Sequence, residues 1–112
     1  MKLDVLVPCP VTSEPFRRNR ARLIPSKPGC YVLTTFEREV LYLGLTVNLR
    51  RRFNEHLNSV AKTELTARGR AVLLHWVETA EINRVERTWL NIHLLYEGCL
   101  PVLNSVYSPT LT

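Results

Sequence analysis

The chain has no long apolar run, no paired cysteines and only four glycines. Its apolar stretches last a few residues, as at 71–74, against the roughly 20 that a bilayer-spanning helix needs. No membrane association is expected. The opening MKLDVLVPCP is interrupted by Asp4 and two prolines and does not read as a secretory signal. The three cysteines, Cys9, Cys30 and Cys99, include no CxxC pair. Neither a disulfide framework nor a zinc knuckle follows, and a reducing, cytoplasmic compartment is expected. The Walker, GxGxxG, HExxH and GxSxG motifs are absent, which removes the common nucleotide, zinc-protease and serine-hydrolase readings. His75 and His93 lack ligand-type neighbours at metal spacing and read as structural.

The 112 residues, 46% hydrophobic and 22% charged, make one folded unit of ordinary composition. The formal charge is +5, and it is unevenly placed. Residues 1–56 carry ten Lys/Arg against five Asp/Glu, and residues 57–112 carry five of each. The surplus falls in two clusters, Arg17, Arg18, Arg20 and Arg22, then Arg50, Arg51 and Arg52. Such clusters suit a phosphate backbone, and equally a solvated basic face.

Five of the seven prolines lie within residues 1–28, so this segment reads as a basic, irregular arm. It has room for a short strand at 3–7 and a helical turn at 14–22. Residues 29–36 (GCYVLTTF) and 40–44 (VLYLG) read as a strand hairpin. In residues 49–60, Leu49, Phe53, Leu57 and Val60 make one apolar helical stripe, with Thr46 or Asn48 as its cap. Residues 70–78 read as a third, central strand. From 79 to 96, Ile82, Val85, Trp89, Ile92 and Tyr96 keep a helical period, widened by Leu90, Leu94 and Leu95, and Gly98 is a stop signal. The expected fold is α+β, a three-stranded antiparallel sheet flanked by helices in the order β-β-α-β-α. The expected division is an arm at 1–28, a domain at 29–104 and a tail at 105–112.

Three features do not follow from packing. Tyr31 and Tyr42 sit one on each hairpin strand. A two-residue turn at Arg38–Glu39, setting Thr35 opposite Tyr42, would put both phenols on one face, whereas a three-residue turn would separate them. Arg52 and His56 are four apart and share a side of their helix. Glu86 falls at the rim of the apolar stripe of the last helix, about 40° from Ile82. A carboxylate there loses hydration and calls for a cation, which Arg52, Arg84 or a metal ion would supply; a plain exposed glutamate at the helix edge fits the pattern too.

Residues 28–56, PGCYVLTTFEREVLYLGLTVNLRRRFNEH, resemble the signature of the GIY-YIG nuclease superfamily. Gly29-Cys30-Tyr31 stands for GIY and Tyr42-Leu43-Gly44 for YIG. Arg52 and His56 fall at the catalytic arginine and the His/Tyr position. Glu86, after Thr79-Ala80-Glu81 as in excision-repair members, matches the metal-binding glutamate, with Glu97 as its rival. Pro101–Asn104 resembles the motif ending in the late asparagine. The resemblance implies a metal-dependent endonuclease acting on DNA with little sequence preference, using one Mg²⁺ or Mn²⁺ on Glu86. It implies roles for Tyr31 as general base, Tyr42 in orienting water or phosphate (the two exchangeable), Arg52 on the phosphate, His56 in proton transfer and Asn104 in holding the site. Arg17, Arg18, Arg20, Arg22, Arg50 and Arg51 would follow the flanking backbone. Leu45 stands where several members carry a lysine that helps activate the nucleophile, so a binding module with weakened cleavage is the alternative.

Overall fold

The computed structural model describes residues 1–104; the expected tail at 105–112 lies outside them. Four strands form one antiparallel sheet: β1 (Thr12–Pro15), β2 (Gly29–Thr34), β3 (Val40–Thr46) and β4 (Leu73–Glu78), in the spatial order β1-β4-β2-β3. Three helices complete it, α1 (Leu49–Leu57), the four-residue α2 (Val60–Thr63) and α3 (Ile82–Glu97). The α+β class and helix-flanked antiparallel sheet agree with the sequence reading. The strand count does not, because the arm supplies a fourth. Thr12–Pro15 has no apolar alternation, and its edge position, with Pro15 closing the strand, needs none.

Strand β2 is buried along its whole length, since β3 and β4 hydrogen-bond to its two sides and apolar layers cover both faces. One layer joins Tyr31, Leu33, Leu41, Leu74 and Trp76 to Leu49 and Phe53 of α1 and to Phe16 and Ile24 of the arm. The other joins Cys30, Val32, Val40 and Leu43 to Val85 and Trp89 of α3 and to Met1, Leu3 and Leu6. Residues 1–28 thus belong to both layers. They hold 3₁₀ turns at Leu3–Val5 and Arg18–Leu23, where a strand and a helical turn had room. Among the described residues, no helix is long and apolar enough to cross a membrane.

The hairpin joining β2 to β3 departs from the expected two-residue turn. Thr34 pairs with Val40, and the five residues between them turn through Arg38, whose φ is +66°. The Arg38 amide donates to the Thr35 carbonyl at 3.0 Å, and the Glu39 amide to the Thr35 hydroxyl at 3.1 Å. The register then slips by one residue, so that Leu33 faces Tyr42 and Tyr31 faces Gly44. Leu41 is the extra residue of this β-bulge. Had the Thr34–Val40 register continued, Tyr31 and Tyr42 would lie on opposite faces. The bulge restores the parity, and the phenols share the α1 face by a different route from the expected one.

Helix α1 opens on Asn48, whose side chain accepts from the Arg51 amide at 3.0 Å, as a capping residue should. Its buried positions are Leu49, Arg52, Phe53 and His56. The helix stops at Leu57, and Val60, expected to extend the apolar stripe, starts α2 and is exposed. Two polar residues therefore fill the buried stripe. In α3, Val85, Trp89 and His93 face inward, while Leu94, Leu95 and Tyr96 are exposed, against expectation. Gly98 ends α3 at φ +79°. The His93 imidazole Nδ1 lies 2.6 Å from the Cys99 carbonyl.

Candidate active site

Tyr31 is 1% exposed, and its ring lies across the backbone of Gly44. A Cβ on Gly44 would fall 2.6 Å from Tyr31 Cζ and Oη and 2.8 Å from Tyr42 Cε1. Only glycine lets the two rings settle there, with centroids 5.9 Å apart and planes inclined by 32°. Gly29 is equally constrained, since a Cβ would fall 2.5 Å from the Val77 carbonyl oxygen and 2.8 Å from Leu49 Cδ1.

Arg52 and His56 reach Tyr31 from adjacent turns of α1. Arg52 Nε donates to the Tyr31 oxygen at 3.3 Å, and that oxygen lies 2.7 Å from His56 Nε2. Burial, then Tyr42, pushes the Tyr31 phenol well above its ordinary value, with Arg52 only partly opposing. Tyr31 is accordingly protonated at neutral pH. Burial, then Arg52 and Lys62, pushes His56 down to about 3, so its imidazole is neutral. A neutral imidazole carries one ring proton, so its tautomer sets which partner donates in this hydrogen bond. The Tyr31 oxygen thus bridges Arg52 and His56, and the tautomer with its proton on Nδ1 is the one whose Nε2 accepts from the phenol. Arg52 also donates to Glu55 Oε1 at 3.0 Å. Burial disfavours its charge, but Tyr31 and Glu55 more than offset that and raise its pKa.

A residue that the sequence reading missed completes this cluster. Lys62 of α2 is buried, with Nζ 4.7 Å from the centroid of the Tyr42 ring. Tyr42 also meets the His56 ring edge-on at 5.2 Å. Nothing in its local sequence pattern sets Lys62 apart from Lys27 or Arg68.

The other expected residues lie around this cluster, not within its hydrogen-bond chain. Glu86 is half-buried on α3, has no hydrogen bond or ion pair among the described residues, and is raised above its ordinary value by burial. It approaches β2 beside Cys30, whose thiol it helps push up, after burial, to about 12. Cys30 precedes Tyr31 but faces the α3 layer, so Glu86 borders the same end of β2 from the opposite face and makes no ion pair with Arg52. Glu97 contacts the N-terminal amine and lies 3.6 Å from Arg68, an arrangement that occupies its carboxylate. Asn104 reads the edge of β3, accepting from the Leu43 amide and donating to the Leu43 carbonyl, both at 2.9 Å. It thereby pins the strand between Tyr42 and Gly44.

Arg18, Arg20 and Arg22 sit on the 3₁₀ turn Arg18–Leu23, which packs on α1, and Arg17 immediately precedes it. Arg50 donates to the carbonyls of Ile24 (2.8 Å) and Arg22 (3.2 Å), so it fastens the arm to α1. Arg20 lies 3.9 Å from Glu14, and Arg51 lies 3.8 Å from Glu55. Arg18 contacts Asn58. The guanidinium groups of Arg17 and Arg22 have no partner among the described residues. The two sequence clusters thus form one basic region beside Arg52.

The family described as GIY-YIG catalytic domain matches residues 27–93, more than half of the chain. The chain belongs to the GIY-YIG family. Relatives with detectable identity include UvrABC system protein C of Lactobacillus gasseri, 37% identical over 41 residues, or 37% of this chain and 7% of that protein. The proteins of the same name from Mycoplasma mycoides subsp. mycoides and Mesoplasma florum are each 31% identical over 49 residues, or 44% of this chain and 8% of theirs. The matched segment spans under a tenth of those relatives' length. Within the GIY-YIG signature of this chain, the two glycines stand where a Cβ has no room: the rings of Tyr31 and Tyr42 take that space at Gly44, and the Val77 carbonyl and Leu49 take it at Gly29.

Proposed function

We propose that this GIY-YIG domain hydrolyses phosphodiester bonds in DNA with little sequence preference, assisted by one divalent ion. The observation that carries the reading is the buried hydrogen-bonded cluster Arg52–Tyr31–His56, with its neutral imidazole, beside a basic region. Phosphodiester hydrolysis needs a positioned water, a proton acceptor and charge relief at phosphorus. Arg52, its guanidinium oriented by Glu55, presents its remaining N–H groups to the phosphate. As water attacks phosphorus, its proton passes to the Tyr31 oxygen while the Tyr31 proton moves to His56 Nε2. An imidazolium forms, and the departing alkoxide takes a proton from solvent. The raised pKa of Tyr31 argues against a standing phenolate, so Tyr31 acts as the relay to His56, and an arriving phosphate, by offsetting Arg52 and Lys62, strengthens that imidazole as an acceptor. Tyr42 orients the incoming group.

Glu86 fits an ion of the magnesium type. Its carboxylate is unpartnered among the described residues, and no cluster of three or more His, Cys, Asp or Glu is present there to hold a metal. Mg²⁺ and Mn²⁺ keep several waters and rely on one or two carboxylates plus substrate phosphate, whereas structural zinc needs four protein ligands. When bound, the ion supplies charge relief at the phosphate. Burial raises the pKa of Glu86, so its hold on the ion weakens sooner as pH falls than that of an exposed carboxylate. Arg17, Arg22 and Arg51 follow the flanking backbone, which gives affinity without sequence choice.

The test is incubation of the purified chain with nicked, branched and single-stranded DNA in Mn²⁺ or EDTA. Cuts are expected in Mn²⁺ only, with Glu86→Gln lowering the rate by about 100-fold or more. Salt-sensitive binding without cuts, unchanged by Glu86→Gln, would instead establish a binding module.

A further inference from the structure

Lys62 lies outside the family signature's tyrosines and arginine, on the short helix α2. It is 7% exposed. The buried part is the stem: among the described residues no fully buried side-chain nitrogen lacks a partner, so the ammonium opens to solvent, where an anion can reach it. The Lys62 ammonium has neither a carboxylate within ion-pair distance nor a hydrogen-bond acceptor among the described residues; its recorded contact is the face of Tyr42. The charged side chain that acts on it most is Arg52, which repels it and, after burial itself, lowers its pKa. Arg52 already has Glu55 as a partner. With His56 neutral, the cluster holds two cations against one carboxylate. Arg52 bonds to Tyr31 and Lys62 covers Tyr42, so the two cations flank the pair of phenols. Fold stability alone gives no reason to bring two cations together here, where a methionine would pack the same stem length against the ring. A phosphate relieves the repulsion on arrival.

We infer that Lys62 is a second phosphate-binding cation of this site, which holds the scissile phosphate over the Tyr31–Tyr42 pair together with Arg52. The inference rests on the phosphodiesterase reading and deepens it. A residue that only packs against Tyr42 is replaceable by an uncharged side chain of equal length, whereas a phosphate ligand is not.

The experiment measures binding of a labelled DNA duplex to the full chain in EDTA across a salt series, and single-turnover cleavage in Mn²⁺. Each phosphate neutralised contributes about 0.9 to the slope of log affinity against log salt. Lys62→Met is expected to lose about that much of the slope and to slow cleavage by about 100-fold. Lys62→Arg is expected to keep the slope. A Lys62→Met chain with wild-type slope and rate overturns the inference. So does a Lys62→Arg chain that is folded by circular dichroism yet has lost the slope. Wild-type protein that neither binds nor cuts the duplex overturns the phosphodiesterase reading itself, and the inference with it.

Discussion

Gly44 shows how one residue sets the geometry of this site. The Tyr31 ring occupies the volume that a Cβ at residue 44 would need, so the glycine is a receptor for the aromatic side chain. Gly44→Ala is expected to push Tyr31 away from His56 and Arg52. A displacement near 1 Å costs about 100-fold in rate when the reacting groups must be aligned. Single-turnover cleavage should fall by that order, while Tyr42→Phe, which keeps the ring, should leave the fold intact by circular dichroism. Unchanged cleavage in Gly44→Ala would show that the ring position is unimportant. Tyr31, Tyr42, Arg52 and His56 were legible in the sequence because a short segment carries all four at fixed spacing. Lys62 was not, because a four-residue helix has too few positions to show a period. The arm contacts of Arg50 were not legible either, since its charge suggests a phosphate contact, whereas two of its five N–H donors go to the carbonyls of Ile24 and Arg22.

At the scale of elements, the hairpin combines a right outcome with a wrong route. Alternation alone states that the phenols share a face only if the register has the correct parity. The turn that satisfies this without irregularity is not the one formed. A five-residue connection and one bulge at Leu41 do the same work, and neither has a clear signature in TTFEREVLYLG. The positive φ falls on Arg38, not on a glycine or asparagine that would have marked it. The edge strand Thr12–Pro15 escaped notice for a related reason. Its pairing is with β4, 58 or more residues away in the chain, and its side chains contribute little to either apolar layer. Helices α1 and α3 were legible in position and type. Their exposed ends were not, because apolar period continues through Val60, Leu94 and Leu95 after the packing partner has ended.

Across the whole molecule, the same burial that prepares the site makes the fold sensitive to acid. His56 is held down to about 3 and His75, buried beside the Thr34 hydroxyl at 2.8 Å, to about 4, both from an ordinary 6.5. An unfolded chain takes up these protons as pH falls below about 6.5, and the folded chain cannot follow until near 4 and then 3. Depressed folded values mean stability that is complete above 6.5 and is lost progressively below it. Glu86 runs the other way, since its raised value favours the fold as pH falls through the carboxylate range, but one half-buried carboxyl faces two buried imidazoles. The urea midpoint is expected to be lower at pH 4.5 than at pH 7.5, and equal midpoints would mean that the histidines are not buried as neutral groups.

The two faces of β2 have different tasks. The α1 face holds the phenols, the imidazole and the two cations, and the α3 face brings Glu86 to the same end of the strand. The arm ties both layers together, through Phe16 and Ile24 on one side and Leu3 and Leu6 on the other. On this account, Tyr31 and His56 act as one proton relay. A double-mutant cycle on single-turnover DNA cleavage, with Tyr31→Phe, His56→Gln and the double variant, measures that directly. Residues acting as a unit lose little more together than singly, so the double variant should be about as slow as the slower single one. If the two losses instead multiply, each side chain works independently, and the relay does not exist.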